Sequence, residues 1–112
     1  MIPPVVDSGR VLDRIRNGIL AAESGRILRI VLYGSRAVGT AGPDSDYDVL
    51  VVESDPVQAA GEALRLRKAL ETLPCPIDLR VMGEQEFEET RDIVGGIAYP
   101  AARNGVTLYA VA

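Results

Sequence analysis

The sequence predicts an α/β domain of the α+β kind, a mixed β-sheet backed by helices in the order α-β-(α)-β-α-β-α-α-β. Three observations carry this expectation. Apolar runs of strand length, at 27–33, 45–52, 77–82 and 106–111, alternate with stretches of helical periodicity, clearest at 8–22 and 57–73. Turn-forming residues mark the boundaries: Gly25, Gly34, Pro56, Pro74 with Pro76, Gly95-Gly96 and Asn104-Gly105. The length of 112 residues, with 47% hydrophobic and 25% charged residues, suits one small domain over 1–112 with one core.

Met1–Asp7 reads as a loose lead-in, because Pro3-Pro4 blocks regular structure. In the first helix, Ser8–Ala22, Val11 or Leu12, Ile15, Ile19 and Ala22 share a face, and Asp7 or Ser8 is placed to cap it. Gly25 ends that helix. Ile27–Tyr33 then forms a strand apolar enough to lie inside a sheet. Gly34–Asp44 is a glycine-punctuated connection whose middle, Ser35–Val38, suits a short helix. The second strand starts at Ser45, runs to Val52 and closes in Ser54-Asp55-Pro56.

Val57–Leu73 carries an apolar stripe of Ala59, Ala63, Leu66, Leu70 and Leu73. The Pro74-Cys75-Pro76 break launches the third strand, Ile77–Met82. Its alternation sets Ile77, Leu79 and Val81 on one face, Asp78 and Arg80 on the other. Glu84, Glu86, Glu88 and Glu89 crowd the start of the next helix, where carboxylates suit the dipole, and Phe87, Val94 and the Arg91 stem form its inward side. A short helix and a final strand, Val106–Val111, complete the chain.

The chemistry-bearing residues lie between the first and third strands. Gly34-Ser35 stands where a strand hands over to a loop, so that bare backbone, free amides and a hydroxyl can approach a phosphate. Arg36 adds a permanent charge suited to a phosphate oxygen. Asp46 and Asp48 open the second strand on one face, with Cα atoms roughly 6.5–7 Å apart and Tyr47 opposite. Aspartate is depleted in strands, and Val49–Val52 marks this one as buried further along. Two neighbouring carboxylates there call for a cation. Asp78 joins them if the third strand lies beside the second; otherwise it pairs with Arg80 or faces solvent.

Composition excludes several alternatives. The chain has no histidine, which removes Ser-His-Asp chemistry and imidazole-bound zinc and leaves oxygen-held Mg²⁺ or Mn²⁺. The lone Cys75 allows no internal disulfide and reads as a small buried filler. A net charge of −4 without a basic run argues against a nucleic-acid acceptor. No signal peptide and no membrane-spanning run is visible, so a cytoplasmic location is expected.

Gly34-Ser35, ten residues, then Asp46-Tyr47-Asp48, with Asp78 on a later strand, is similar to the signature of the nucleotidyltransferase superfamily that includes DNA polymerase beta. The wording G-S-R-A-V-G-T-A-G-P-D-S-D-Y-D-V-L-V-V resembles the minimal nucleotidyltransferases, the small members called MNT or MntA-like. The resemblance covers nearly the whole chain, including the tail A-R-N-G-V-T-L-Y; the one departure is Pro100 inside the last short helix. The resemblance implies the nucleotidyltransferase fold and transfer of a nucleoside monophosphate from a triphosphate to an acceptor hydroxyl, releasing pyrophosphate. It places Gly34 and Ser35 at the triphosphate and Asp46 and Asp48 on Mg²⁺, one ion or two. Asp78 would complete the metal site and act as base. Many members are antitoxins of HEPN-domain toxins, and some adenylylate the toxin on tyrosine.

Two functions of different class follow. One is a Mg²⁺-dependent enzyme, a protein adenylyltransferase that uses ATP to modify a HEPN-domain partner. The other is a binding module of the same fold that neutralises the partner by occlusion, as part of a hetero-complex or oligomer. Transfer to a small molecule such as an aminoglycoside is a third option, weakened because such enzymes generally carry an extra domain. The retention of all three carboxylates favours the enzyme.

Overall fold

Alternating apolar runs need neighbours on both sides, and the computed structural model, which describes residues 8–22 and 25–111, supplies them. The lead-in and the cap by Asp7 or the Ser8 side chain lie outside the described residues. The elements are α1 (Ser8–Ala22), β1 (Ile27–Tyr33), α2 (Ser35–Val38), β2 (Tyr47–Glu53), α3 (Ala59–Ala69), β3 (Ile77–Gly83), α4 (Glu84–Thr90), α5 (Ala98–Asn104) and β4 (Val106–Ala110). The sheet has the order β3-β2-β1-β4. Strand β1 runs antiparallel to β2 and β4, while β2 and β3 are parallel and joined by the α3 crossover. This is the mixed, helix-backed sheet that the sequence predicts.

Each strand divides its residues between two faces. One face carries Ile30 and Leu32 of β1, Tyr47, Val49 and Val51 of β2 and Leu79 of β3. They are buried against Val11, Ile15 and Ile19 of α1 and Ala63, Leu66 and Leu70 beside and within α3. The other face carries Val31, Leu50, Val52 and Met82, covered by Phe87 of α4 and Ala98 and Ala101 of α5. Arg29 and Arg91 each hold a guanidinium 5.4 Å from the Phe87 ring centroid, closing that cover from two sides. Among the described residues no helix is long and apolar enough to cross a membrane.

Several local expectations change in the folded chain. The α3 helix is shorter than Val57–Leu73, because Leu70 N–H bonds Arg67 O at 3.1 Å and Leu73 N–H bonds Leu70 O at 3.1 Å, which winds the end into tight turns. Ala59, expected on its apolar stripe, is exposed. The α4 helix stops at Thr90, before its apolar pattern can carry Val94 inward, and Val94 is 77% exposed. Pro100 does not disturb α5: it is the third residue of the helix, within the first turn, where amides have no intrahelical acceptor.

One buried group stands apart from the apolar packing. Glu53, at the end of β2 on the α3 side, is 1% exposed, and neither carboxylate oxygen has a hydrogen-bond partner among the described residues. Burial first, then the neighbouring Glu62 carboxyl, push its pKa up from 4.5 to about 7. The Arg65 fork holds Glu62 below its ordinary value, with Nη2 at 2.8 Å from Oε2. The folded protein thus keeps a proton on Glu53 that the unfolded chain releases. This group's stability contribution is full below pH 4.5 and is lost as pH rises through about 7. Glu53→Gln is therefore expected to melt like the wild type at acid pH and to be more stable by about 3 kcal/mol at pH 8. Denaturation of both proteins across that pH range checks it; a difference that stays constant with pH rejects the argument.

Candidate active site

The site is built where β1 ends and β2 and β3 begin. Residue pairing across the sheet sets Tyr33 opposite Asp48, and Asp48 opposite Asp78. Paired residues of neighbouring strands share a face, so these three side chains form a row across β1, β2 and β3. That face is the one that α4 and α5 cover further along, over Leu50, Val52 and Met82. Asp48 and Asp78 remain partly exposed at its open end.

Asp46 stands one residue ahead of β2 and is exposed. The strand begins two residues later than Ser45 because the connection is tied down as a turn. Ser45 N–H donates to Gly42 O at 3.2 Å, and Gly42 N–H donates to Ser45 Oγ at 2.9 Å. Burial, then the charges of Asp78 and Asp46, raise the Asp48 pKa, with Arg80 opposing them. The Tyr33 hydroxyl is pushed up to about 12 by burial and then by the charges of Asp48 and Asp78. These are the marks of a crowded negative field that a cation would relieve.

The turn beside the carboxylates is Gly34, at φ 74° and ψ −158°, in a region that only glycine enters readily. A Cβ there would collide with Asp48 Oδ2. Gly34 therefore lets the β1 end pass directly against the Asp48 carboxylate, and its carbonyl accepts from Ala37 N–H at 3.0 Å to start α2. The amides of Ser35 and Arg36 open that helix with no preceding turn to bond to. They lie on the chain segment that touches Asp48.

Arg36 is differently placed from the other expected phosphate contacts. Its Nη2 donates to Ser45 O at 2.9 Å, its Nε reaches the same oxygen at 3.3 Å, and the guanidinium lies 4.3 Å from the Tyr47 ring centroid. In this arrangement it clamps the connection between α2 and β2. Arg36→Ala is expected to cost about 1–2 kcal/mol through the lost stacking and hydrogen bonds. Amide exchange over residues 40–46 should also quicken, and unchanged exchange there would reject the clamp.

The structure thus brings Gly34, Asp48 and Asp78 together, sets Asp46 just outside, and turns Arg36 to the loop. It adds Tyr33, which sequence reasoning passed over. The signal was available: alternation through β1 puts Arg29, Val31 and Tyr33 on one face, and Tyr33 directly precedes Gly34. Cys75, half-buried, has its thiol pushed up by burial, which suits packing rather than nucleophilic work.

The donor set is three carboxylates, hard oxygen ligands suited to Mg²⁺, with two of them in register on adjacent strands. Among the described residues no three acidic side chains are drawn together around one point in this conformation. Asp78 is instead held by Arg80, whose Nε donates to Oδ1 at 3.2 Å. The donors fit the ion in kind and in strand placement, with Asp78 Oδ1 engaged by Arg80.

Carboxylates in register beside a glycine–serine turn at the strand ends suit a cation and a phosphate. The family model described as the nucleotidyltransferase domain matches residues 12–98, and the chain belongs to that family. No curated protein matches it. Among solved structures, the chain is similar to one from a toxin–antitoxin crystal structure with AMP-PNP, at 18% identity and TM-score 0.65, covering 89% of this chain and 73% of that one. A chain of a mutant toxin–antitoxin MntA–HpeT is similar at 16% identity and TM-score 0.57, with 95% and 75% covered. A chain of the complex of a tri-AMPylated Shewanella oneidensis HEPN toxin with MNT antitoxin is similar at 15% identity and TM-score 0.50, with 92% and 69% covered. At these identities the likeness is one of fold.

Proposed function

We propose that this chain is a Mg²⁺-dependent nucleotidyltransferase that moves AMP from ATP to a hydroxyl of a partner protein, and that the partner is a HEPN-domain toxin to which it is the antitoxin. The observation that carries the reading is the in-register pair Asp48–Asp78 against the Gly34 turn, in a chain of the nucleotidyltransferase family. Similarity in fold to chains from toxin–antitoxin complexes, one with AMP-PNP and one with an AMPylated HEPN toxin, supports the choice of nucleotide and partner. The net charge of −4 favours a protein over a nucleic acid as acceptor. We read 1–112 as a single catalytic domain acting in the cytoplasm.

In this reading the amides after Gly34 and the Ser35 hydroxyl hold the triphosphate. Asp46, Asp48 and Asp78 hold Mg²⁺, which when bound neutralises charge developing on the transferred phosphoryl group. Asp78 takes the proton of the acceptor hydroxyl. The acceptor oxygen forms a bond to the α-phosphorus, the α–β bridging bond breaks, and pyrophosphate leaves with that electron pair.

The test uses labelled ATP, Mg²⁺ and the product of the neighbouring gene as the candidate partner. Wild type should transfer label to it; Asp46→Ala and Asp48→Ala should not. Equal neutralisation of the toxin by all three proteins, with no label transferred, would show occlusion instead.

A further inference from the structure

We propose that Arg80 is a positioning residue that serves two anions in turn: it holds Asp78 in the metal-free protein, and faces the bound triphosphate once Asp78 has turned to the ion. The proposal rests on the functional reading above and deepens it.

Four observations lead here. Arg80 follows Asp78 by two residues on β3, so both project from the same face, and Arg80 is in register with Leu50, next along from Asp48 on β2. Its Nε lies 3.2 Å from Asp78 Oδ1. The pair is accessible, with the Arg80 side chain 52% and the Asp78 side chain 38% exposed, so that the guanidinium can turn without disturbing the core. Arg36, the other arginine of the site, is engaged with the Ser45 and Pro43 carbonyls and the Tyr47 ring.

A guanidinium is a permanent cation and cannot step aside by losing a proton. Arg80 draws on the Asp78 carboxylate through Oδ1, and a divalent ion drawing on the same carboxylate would be repelled by the guanidinium across it. The arginine therefore opposes the metal for as long as it stays on Asp78. Displacement leaves it on the same face, beside Asp48 and Tyr33, both of which its charge already reaches. A triphosphate arriving there carries about four negative charges and is the anion an Arg fork suits. Arg80 therefore opposes metal binding in the empty protein and favours nucleotide binding in the loaded one. A residue with only a structural role would not act with opposite signs.

The experiment measures Mn²⁺ binding by electron paramagnetic resonance in the absence of nucleotide, and AMP-PNP binding by calorimetry at saturating Mn²⁺. Arg80→Ala should bind Mn²⁺ about three- to tenfold more tightly than wild type and AMP-PNP at least about threefold more weakly. Arg80→Lys should lie between the two proteins in both measurements. In an Asp78→Asn background, Arg80→Ala should tighten Mn²⁺ binding much less than it does in the wild type, because most of the competition passes through Asp78. Unfolding curves should show all variants folded, since Arg80 is half-exposed. Unchanged or weaker Mn²⁺ binding by Arg80→Ala, or a full effect in the Asp78→Asn background, overturns the proposal. If Asp48→Asn does not weaken Mn²⁺ binding by the wild type, the metal-site reading itself fails, and the proposal with it.

Discussion

Asp48→Asn is expected to lower nucleotidyl transfer about 10³-fold or more, equivalent to about 4 kcal/mol of transition-state stabilisation, while leaving the metal-free protein as stable as wild type or more so. Both directions come from one side chain. Asp48 lies in register with Asp78, and burial together with the charges of Asp78 and Asp46 raises its pKa. An ionised Asp48 therefore works against the empty fold, and asparagine removes the repulsion while keeping the shape. The same replacement takes away the proposed metal ligand between Tyr33 and Asp78 in the row. Release of pyrophosphate in the presence of the proposed partner protein measures the first effect, and urea denaturation without metal measures the second. A variant that loses activity because it unfolds would contradict this account. Function and stability conflict at this position, as they commonly do where like charges are gathered to hold a ligand.

Gly34→Ala should have the largest effect on the fold of any single methyl added near the site. The residue sits at φ 74° and ψ −158°, and the new Cβ would meet Asp48 Oδ2. Backbone strain and the displaced carboxylate together should cost about 2–4 kcal/mol, and transfer should fall with the loss of Asp48 geometry. Gly39→Ala is the matched control. Gly39 also has positive φ, at 81° with ψ 14°, but a Cβ there meets nothing within 4 Å, so the cost should be about 1 kcal/mol with transfer retained. Urea denaturation of the two variants separates strain alone from strain plus collision. Equal losses at both glycines would mean that the contact with Asp48 is unimportant.

The elements that could be read along the chain are those governed by local pattern. The α1 face of Val11, Ile15 and Ile19, the apolar β1 and the alternation of β3 are repeated signals, each reinforced several times over. Element ends were less legible because they depend on single contacts. Arg67 O and Leu70 O capture the last amides of α3 and shorten it, and the Gly42–Ser45 turn delays the start of β2. Pro100 fits α5 because the helix starts at Ala98 and leaves the proline in its first turn. Val94 faces outward because α4 ends at Thr90.

The candidate site divides the same way. The types and spacing of Gly34, Ser35, Asp46, Asp48 and Asp78 are written in the sequence, because a glycine and carboxylates out of keeping with a buried strand stand out against their surroundings. Which strands lie side by side is not written there. Asp48 meets Asp78 because β3 pairs parallel with β2, and Tyr33 joins them because β1 pairs antiparallel on the other side. Arg36 and Arg80 carry the same charge in the sequence, and only their distances tell them apart: one lies against loop carbonyls and a ring, the other against a site carboxylate. Element types, donor chemistry and the family resemblance can be read along the chain, because they rest on side-chain identity and local periodicity. Register, the burial of Glu53 and the partner of each arginine emerge only on folding, because they depend on contacts between residues far apart in the chain.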